Sequence, residues 1–159
     1  RLQRPGRVGL AWRSGTAVWG PLKSAPLDRM APLFALPDVT WINLQYGADA
    51  PAALEAAAGH AGAVAHHVDE IDQMRDLDGF AALVAGLDAV VTTSNTTAHV
   101  AGALGVPALV LLPFIPDWRW QATGDRALWY PGMRLFRQPA PGDWDTPVAA
   151  AARALAGRS

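Results

Sequence analysis

The chain has 159 residues, 51% apolar and 17% charged, with a formal net charge of −1. That is the composition of one soluble, domain-sized globular unit able to bury a core, and it carries no nucleic-acid footprint. Cysteine is absent, which excludes a disulfide scaffold, thiol catalysis and thiolate metal sites. No apolar stretch approaches a membrane span, no secretory signal pattern is present, and there is no internal repeat or low-complexity tract.

Residues 7–12, RVGLAW, read as the first strand. The loop after it, residues 13–24, is long, and Gly15, Gly20 and Pro21 argue against regular structure there. A long loop directly after the first strand of an α/β domain suits a ligand, and Arg13 and Lys23 are its cations. A solvated lysine is the plainer reading of Lys23. Leu27, Met30, Ala31 and Phe34 recur at helical spacing, with Ser24 placed to cap the helix, Pro26 in its first turn, and Pro32 forcing a late start or a kink. Residues 39–44, VTWINL, read as the second strand, with Gln45, Tyr46 and Gly47 at its carboxyl end. Residues 51–58 read as an alanine-rich helix, and residues 64–68 as a short third strand. His66 and His67, being adjacent on that strand, should face opposite ways, a poor arrangement for one metal ion. The carboxylates of residues 69–78 suit a solvated loop, with Asp76 or Asp78 at the start of the helix marked by Phe80, Leu83, Val84 and Leu87.

The most informative stretch is residues 88–113, DAVVTTSNTTAHVAGALGVPALVLLP. The apolar run at 89–91 suits a buried strand. Six consecutive hydroxyl or amide residues follow, then Ala98, Val100, Ala101, Ala103 and Leu104 at helical spacing, then Gly105 and a second apolar run. This is strand, turn, helix, strand, one βαβ unit of a parallel sheet. Ser94 or Asn95 can cap the helix, Gly105 can close it, and Pro107 can open the next strand. The first N–H groups of a helix lack intrahelical partners and sit at its positive end, so such a turn suits phosphate oxygens. In an open α/β sheet ligands also bind at this end of the strands. A hydroxyl-rich cap that merely ends the strand is the competing account. Residues 113–138 bring Trp118, Trp120, Trp129 and Tyr130 beside Arg119 and Arg126, either to stack on a base or sugar or to form a lid over the core. A last strand at 133–136 and a closing helix at 148–155 complete the chain, and residues 157–159 should fray.

VGLAW, SAPLDRMAPLFALPDVTWINLQ, DGFAALVAGLDAVVTTSNTTAHVAGALGVPALVLLP, and PDWRW with WYPGMRLFRQ and GDW together resemble a bacterial domain. It is the C-terminal domain that follows tetratricopeptide repeats in proteins related to the heptosyltransferase family, glycosyltransferase family 9. The resemblance spans nearly the whole chain and is most specific at residues 87–113 with DWRW and WYP. It implies a three-layer, Rossmann-like α/β domain with a mainly parallel sheet, the C-terminal half of a GT-B fold, in which two such domains face across a cleft. Residues 1–159 would then be one donor-binding domain, a piece of a longer protein, with a nucleotide sugar as its ligand.

The resemblance also implies a site. Ser94, Asn95, Thr96 and Thr97 occupy the phosphate-binding turn, Lys23 the position of a basic residue that meets the diphosphate, and His99 the position of the family's histidine. Relatives often carry an acidic residue where Ser94 stands, and a neutral turn should tolerate phosphate better. Arg13, Gln45, Tyr46, Trp118 and Arg119 are candidates for base or sugar contacts. The family's catalytic base normally comes from the N-terminal domain, so the resemblance identifies no catalytic residue in this chain, with His99 read as packed or hydrogen-bonding sooner than catalytic, and the domain alone should be inactive. Neither cofactor nor metal is expected, since Lys23 and the helix terminus supply positive charge. The remaining partners implied are an acceptor protein or glycan and the missing N-terminal domain, and the location implied is cytoplasmic. Two other accounts compete. A sugar-nucleotide epimerase of the same architecture would need acid/base carboxylates in the cleft, which the turn at 94–97 does not offer. A catalytically silent domain that binds protein or glycan would suit the degenerate turn and the tryptophans, and nucleotide binding discriminates it from a transferase half.

Overall fold

The computed structural model describes residues 6–157; the end of the chain expected to fray falls partly outside it, at 158 and 159. Six strands form one sheet: β1 (Arg7–Ala11), β2 (Thr40–Asn43), β3 (Val64–His66), β4 (Ala89–Thr93), β5 (Ala108–Leu112) and β6 (Met133–Arg137). Their order is β3-β2-β1-β4-β5-β6, and every neighbouring pair is parallel. The helices are α1 (Gly20–Lys23), α2 (Ala31–Phe34), α3 (Ala50–His60), α4 (Leu77–Ala85), α5 (Thr96–Ala103) and α6 (Asp145–Ala156), with 3₁₀ turns at Leu27–Met30 and Trp118–Trp120.

Alternation along the central strands divides the core in two. Val8, Leu10, Ala89, Val91, Leu109 and Leu111 pack against Leu33, Phe34, Leu54, Val148 and Leu155 of α2, α3 and α6. Ala11, Val90, Ala108, Val110 and Leu112 pack against Phe80, Val84, Ala98 and Ala101 of α4 and α5. With helices on both faces, strand residues of either parity are buried, so these strands read as continuous apolar runs. The expected three-layer α/β domain is the one observed, and its sheet is wholly parallel among the described residues.

Several local expectations need correction. The loop at 13–24 contains the one-turn helix α1: Pro21 fits its first turn, where a missing N–H costs nothing, and Gly20 N donates to Thr16 O at 2.7 Å. Ser24 does not start the helix that follows it but is the C-cap of α1: its hydroxyl donates to Gly20 O and accepts from Ser14 N, closing that loop. Pro32 lies where the 3₁₀ turn gives way to α2, the late start its missing N–H demands. The third strand stops at His66, on the sheet edge, and His67 Nδ1 lies 3.1 Å from the Asn43 side-chain amide. The closing helix begins at Asp145, because the Asp143 carboxylate accepts from both the backbone and the hydroxyl of Thr146. Gly105, at φ +71, ends α5 in the left-handed conformation that Gly adopts without strain.

Candidate functional site

The strand order reverses between β1 and β4. Chain leaving β1 turns to one side and chain leaving β4 to the other, and a crevice opens at their carboxyl ends. It is a cleft of about 630 Å³. Lys23, Gln45, Tyr46, Ser94, Asn95, Thr96, Thr97, His99 and Arg119 all line it. Arg13 and Trp118 do not. The Arg13 guanidinium forks onto Asp49 at the start of α3, at 2.7 and 3.0 Å, and Trp118 is 72% exposed beneath the Arg119 guanidinium. The Asp49 hydrogen bond raises the Arg13 pKa against the opposing effect of its burial.

Much of the cleft's polar floor serves the fold. The Gln45 side-chain carbonyl accepts from Trp12 N and Arg13 N at 3.0 and 2.7 Å, tying the ends of β1 and β2. Asn95 stands at the N-cap position of α5 but makes no side-chain cap bond. Its amide is committed elsewhere: Oδ1 accepts from the Thr92 hydroxyl at 2.9 Å, and Nδ2 donates to Arg13 O at 3.2 Å, joining the turn after β4 to the loop after β1. The turn itself is closed by Asn95 N to Thr93 O and Ala98 N to Asn95 O. The N–H groups of Thr96 and Thr97 remain unclaimed among the described residues. Thr96 is exposed, whereas Thr97 is buried, though both line the cleft.

The aromatic segment divides its roles. Trp120 is 1% exposed, and its indole Nε1–H donates to Ser94 Oγ at 2.7 Å. Its ring stacks on His99, whose Nδ1 lies 3.1 Å from the Tyr130 hydroxyl. His99 is therefore a packed histidine. Burial lowers its pKa, and the nearby Arg119 charge lowers it further against the pull of Asp117, so the imidazole is neutral at pH 7. Trp129 and Trp118 stay exposed; of the three tryptophans, only Trp120 acts as a lid.

Arg137 holds this segment from below. Its Nε donates to Gly124 O, Nη1 to Gln121 O, and Nη2 to Trp120 O and Thr123 O. Neither Arg137 nor Asp117 stood out in the sequence as a site residue. Asp117 lines the cleft and accepts from Arg119 N at 3.1 Å and from Arg119 Nη1 at 2.9 and 3.0 Å, with Lys23 Nζ at 3.8 Å. Lys23 is only 19% exposed, so it is not the solvated lysine of the plainer reading. Burial works against the ionised form of Asp117, but the hydrogen bonds and charge of Arg119, helped by Lys23, hold it below the usual carboxylate range. The Pro-Asp step before an aromatic turn was the available signal, since Asp is a common N-cap. The cleft's other side is apolar: Leu44, Met74, Leu77 and Phe80, with Gln73 among them.

Among the described residues no three His, Asp or Glu side chains gather as a metal site. The expectation of no metal passed over two Asp-x-Asp triplets, at 76–78 and 143–145. Both stand at helix starts, where Asp76 accepts from Gly79 N and Asp143 from Thr146, and none of their carboxylates lines the cleft.

No family model matches the sequence. The chain is 33% identical over 150 residues to Protein FlbA of Caulobacter vibrioides, which covers 94% of this chain and 25% of that protein. Among solved structures it is similar to E. coli heptosyltransferase WaaC with ADP (TM-score 0.67, 13% identity, 98% of this chain and 45% of that one). It is also similar to the E. coli ADP-heptose lipopolysaccharide heptosyltransferase II (TM-score 0.64, 22% identity, 98% and 48%). A third match is a family 9 glycosyl transferase from Veillonella parvula (TM-score 0.62, 14% identity, 99% and 48%). The chain thus has the α/β fold of one half of a GT-B heptosyltransferase, and it spans about a quarter of its curated relative and about half of each solved one.

Proposed function

We propose that this chain is the donor-binding, C-terminal half of a glycosyltransferase: it holds a nucleotide sugar by its diphosphate, while the acceptor and the catalytic base belong to the rest of the full-length protein. The observation that carries this reading is the cleft at the sheet's reversal point, where two unclaimed N–H groups at the start of α5 share one cavity with Lys23 and Arg119. Backbone donors, a helix terminus and two cations meet the needs of a diphosphate. The apolar side suits the flat face of a base or sugar. Two of the similar structures carry ADP or ADP-heptose in their names, which supports a nucleoside diphosphate as the ligand class here.

The chemistry this half can contribute is electrostatic. As the bond from sugar to diphosphate breaks, negative charge grows on the departing phosphate oxygen. Fixed N–H dipoles and the Lys23 and Arg119 cations stabilise it without reorganising. His99, neutral and held between Trp120 and Tyr130, keeps the wall of the cleft rather than moving a proton. Ser94 contributes less than its place in the turn suggests, because its hydroxyl already accepts from Trp120. That one observation favours the second reading, a catalytically silent domain that binds protein or glycan. The epimerase account gains a carboxylate in the cleft, Asp117. Bonded twice to Arg119 and ionised, it is a poor proton donor.

Calorimetric titration of the full-length protein against ADP-, UDP-, GDP- and dTDP-sugars decides between them. A donor-binding half should take up one nucleotide sugar per chain and release it to the matching free nucleotide. Absence of heat with every one of them would leave the silent domain as the better account.

A further inference from the structure

The cleft's charged wall holds two cations against one carboxylate, and that carboxylate is fixed rather than free. Asp117 Oδ1 and Oδ2 lie 2.9 and 3.0 Å from Arg119 Nη1, and Oδ2 lies 3.8 Å from Lys23 Nζ, with the Asp117 side chain 21% exposed. Asp117 also caps the Trp118–Trp120 turn by accepting from Arg119 N. Three residues on, Trp120 is bonded to Ser94 in the turn that begins α5. The carboxylate is therefore held in register with the anion-binding end of the helix. An anion that enters must share Lys23 and Arg119 with a negative charge already there.

Resting on the donor-site reading, we propose that Asp117 is a specificity-determining residue that sets how much negative charge the cleft accepts, favouring the diphosphate diester of a nucleotide sugar over the free nucleoside diphosphate. The chemistry of transfer gives this a use. In the donor, both phosphates are diesters and carry about two negative charges together. Breaking the bond to the sugar leaves the outer phosphate as a terminal group joined only through the anhydride oxygen, and such a phosphate has a second ionisation near pH 6. The product therefore carries about three negative charges at neutral pH. Two cations opposed by one carboxylate balance the donor better than the product. Like charge placed beside a bound anion acts mainly as a penalty on the wrong ligand. Asp117 thus speeds loss of the spent nucleotide and limits its competition with the donor.

The test uses the full-length protein and three ligand pairs: ADP with ADP-glucose, UDP with UDP-glucose, and GDP with GDP-mannose. Dissociation constants are measured at pH 7.5 for the wild type, Asp117→Asn and Asp117→Ser. Both substitutes remove the charge and keep an N-cap acceptor for Arg119 N, so thermal melting should stay close to the wild type. For the pair that binds, both variants should gain affinity for the free diphosphate about tenfold more than for the nucleotide sugar. The gain should shrink as salt rises, since partly exposed charges are screened. Equal gains, or equal losses as expected of a carboxylate that only positions Lys23 and Arg119, would overturn this proposal and leave the donor-site reading standing. No binding of any pair by the wild type or either variant would overturn both.

Discussion

Trp120→Phe isolates the contact that joins the aromatic segment to the turn at Ser94. The substitution keeps a ring against His99 but removes the indole N–H that donates to Ser94 Oγ at 2.7 Å. Both partners are buried, so the serine hydroxyl loses its partner. An unsatisfied buried group of this kind costs about 1–3 kcal/mol. The smaller ring leaves roughly 35 Å³ unfilled, which at ~24 cal/mol per Å³ adds just under ~1 kcal/mol. The expected destabilisation is ~3 kcal/mol, or about 6–12 °C in Tm for a domain of this size.

Thermal and urea unfolding of Trp120→Phe, Ser94→Ala and the double variant give the coupling directly. Ser94→Ala strands the indole N–H in turn, so each single variant carries an unpaired group that the double variant lacks. The double variant should therefore cost less than the two singles together, by about 1 kcal/mol or more. Additivity within ~0.3 kcal/mol would refute the bond as a stabilising contact, and with it the idea that Trp120 fixes the Asp117–Arg119 turn against α5.

Lys23→Ala should weaken nucleoside-diphosphate binding by about 1.5–3 kcal/mol, the range for a hydrogen bond to a charged group. Its Tm should barely move, because Asp117 keeps Arg119; normal binding by calorimetry would remove Lys23 from the site. Arg137→Lys loses the planar fork that reaches four loop carbonyls, and should cost about 2–3 kcal/mol in urea unfolding and raise protease cleavage at 121–124. An unchanged urea midpoint and cleavage rate would mean that the fork does not hold the loop. Burial depresses the His99 pKa, so the unfolded chain binds the proton more readily, at its ordinary 6.5. The contribution of His99 to stability should be complete above about pH 6.5 and fall as pH drops through the lower folded value. Melting curves between about pH 5 and 8 should show this fall in the wild type and a flatter profile in His99→Gln; parallel profiles would refute it.

Most of the sheet was legible because its signals are local. The runs at 8–11, 89–91 and 108–112 are buried on both faces, and a strand in a parallel sheet has no other way to read. The position of the cleft followed from the hydroxyl turn and the βαβ order alone. Individual side chains were less legible, because a polar residue at a strand end can hold the protein together or hold a ligand, and spacing does not say which. Gln45 and Asn95 were marked for a ligand, yet the Gln45 side-chain carbonyl is taken up by Trp12 and Arg13, and the Asn95 amide by Thr92 and Arg13. Arg13, equally marked, faces Asp49, a partner 36 positions away that only the fold brings near. Asp117 was passed over for the converse reason: nothing in PDWRW shows that Lys23, from a loop before the second strand, arrives beside it.

These commitments have a consequence for binding. Because the Gln45 carbonyl and the Asn95 amide both bond to the backbone of Arg13, the crevice between β1 and β4 is formed without a ligand. The unclaimed groups, the N–H of Thr96 and of Thr97, gain a partner when a phosphate oxygen takes the place of water. The Lys23 and Arg119 cations differ, since each must divide its attraction between the ligand and Asp117. On the donor-site reading proposed above, the backbone donors contribute to affinity for any phosphate, while the side-chain wall with its carboxylate sets how strongly that affinity depends on the ligand's charge. A chain with an acidic residue in the turn itself would place that repulsion at the helix terminus. Here the turn is neutral and the carboxylate stands beside both cations, so on the proposed reading it weighs one charge state of a phosphate against another without blocking the N–H groups at the start of α5.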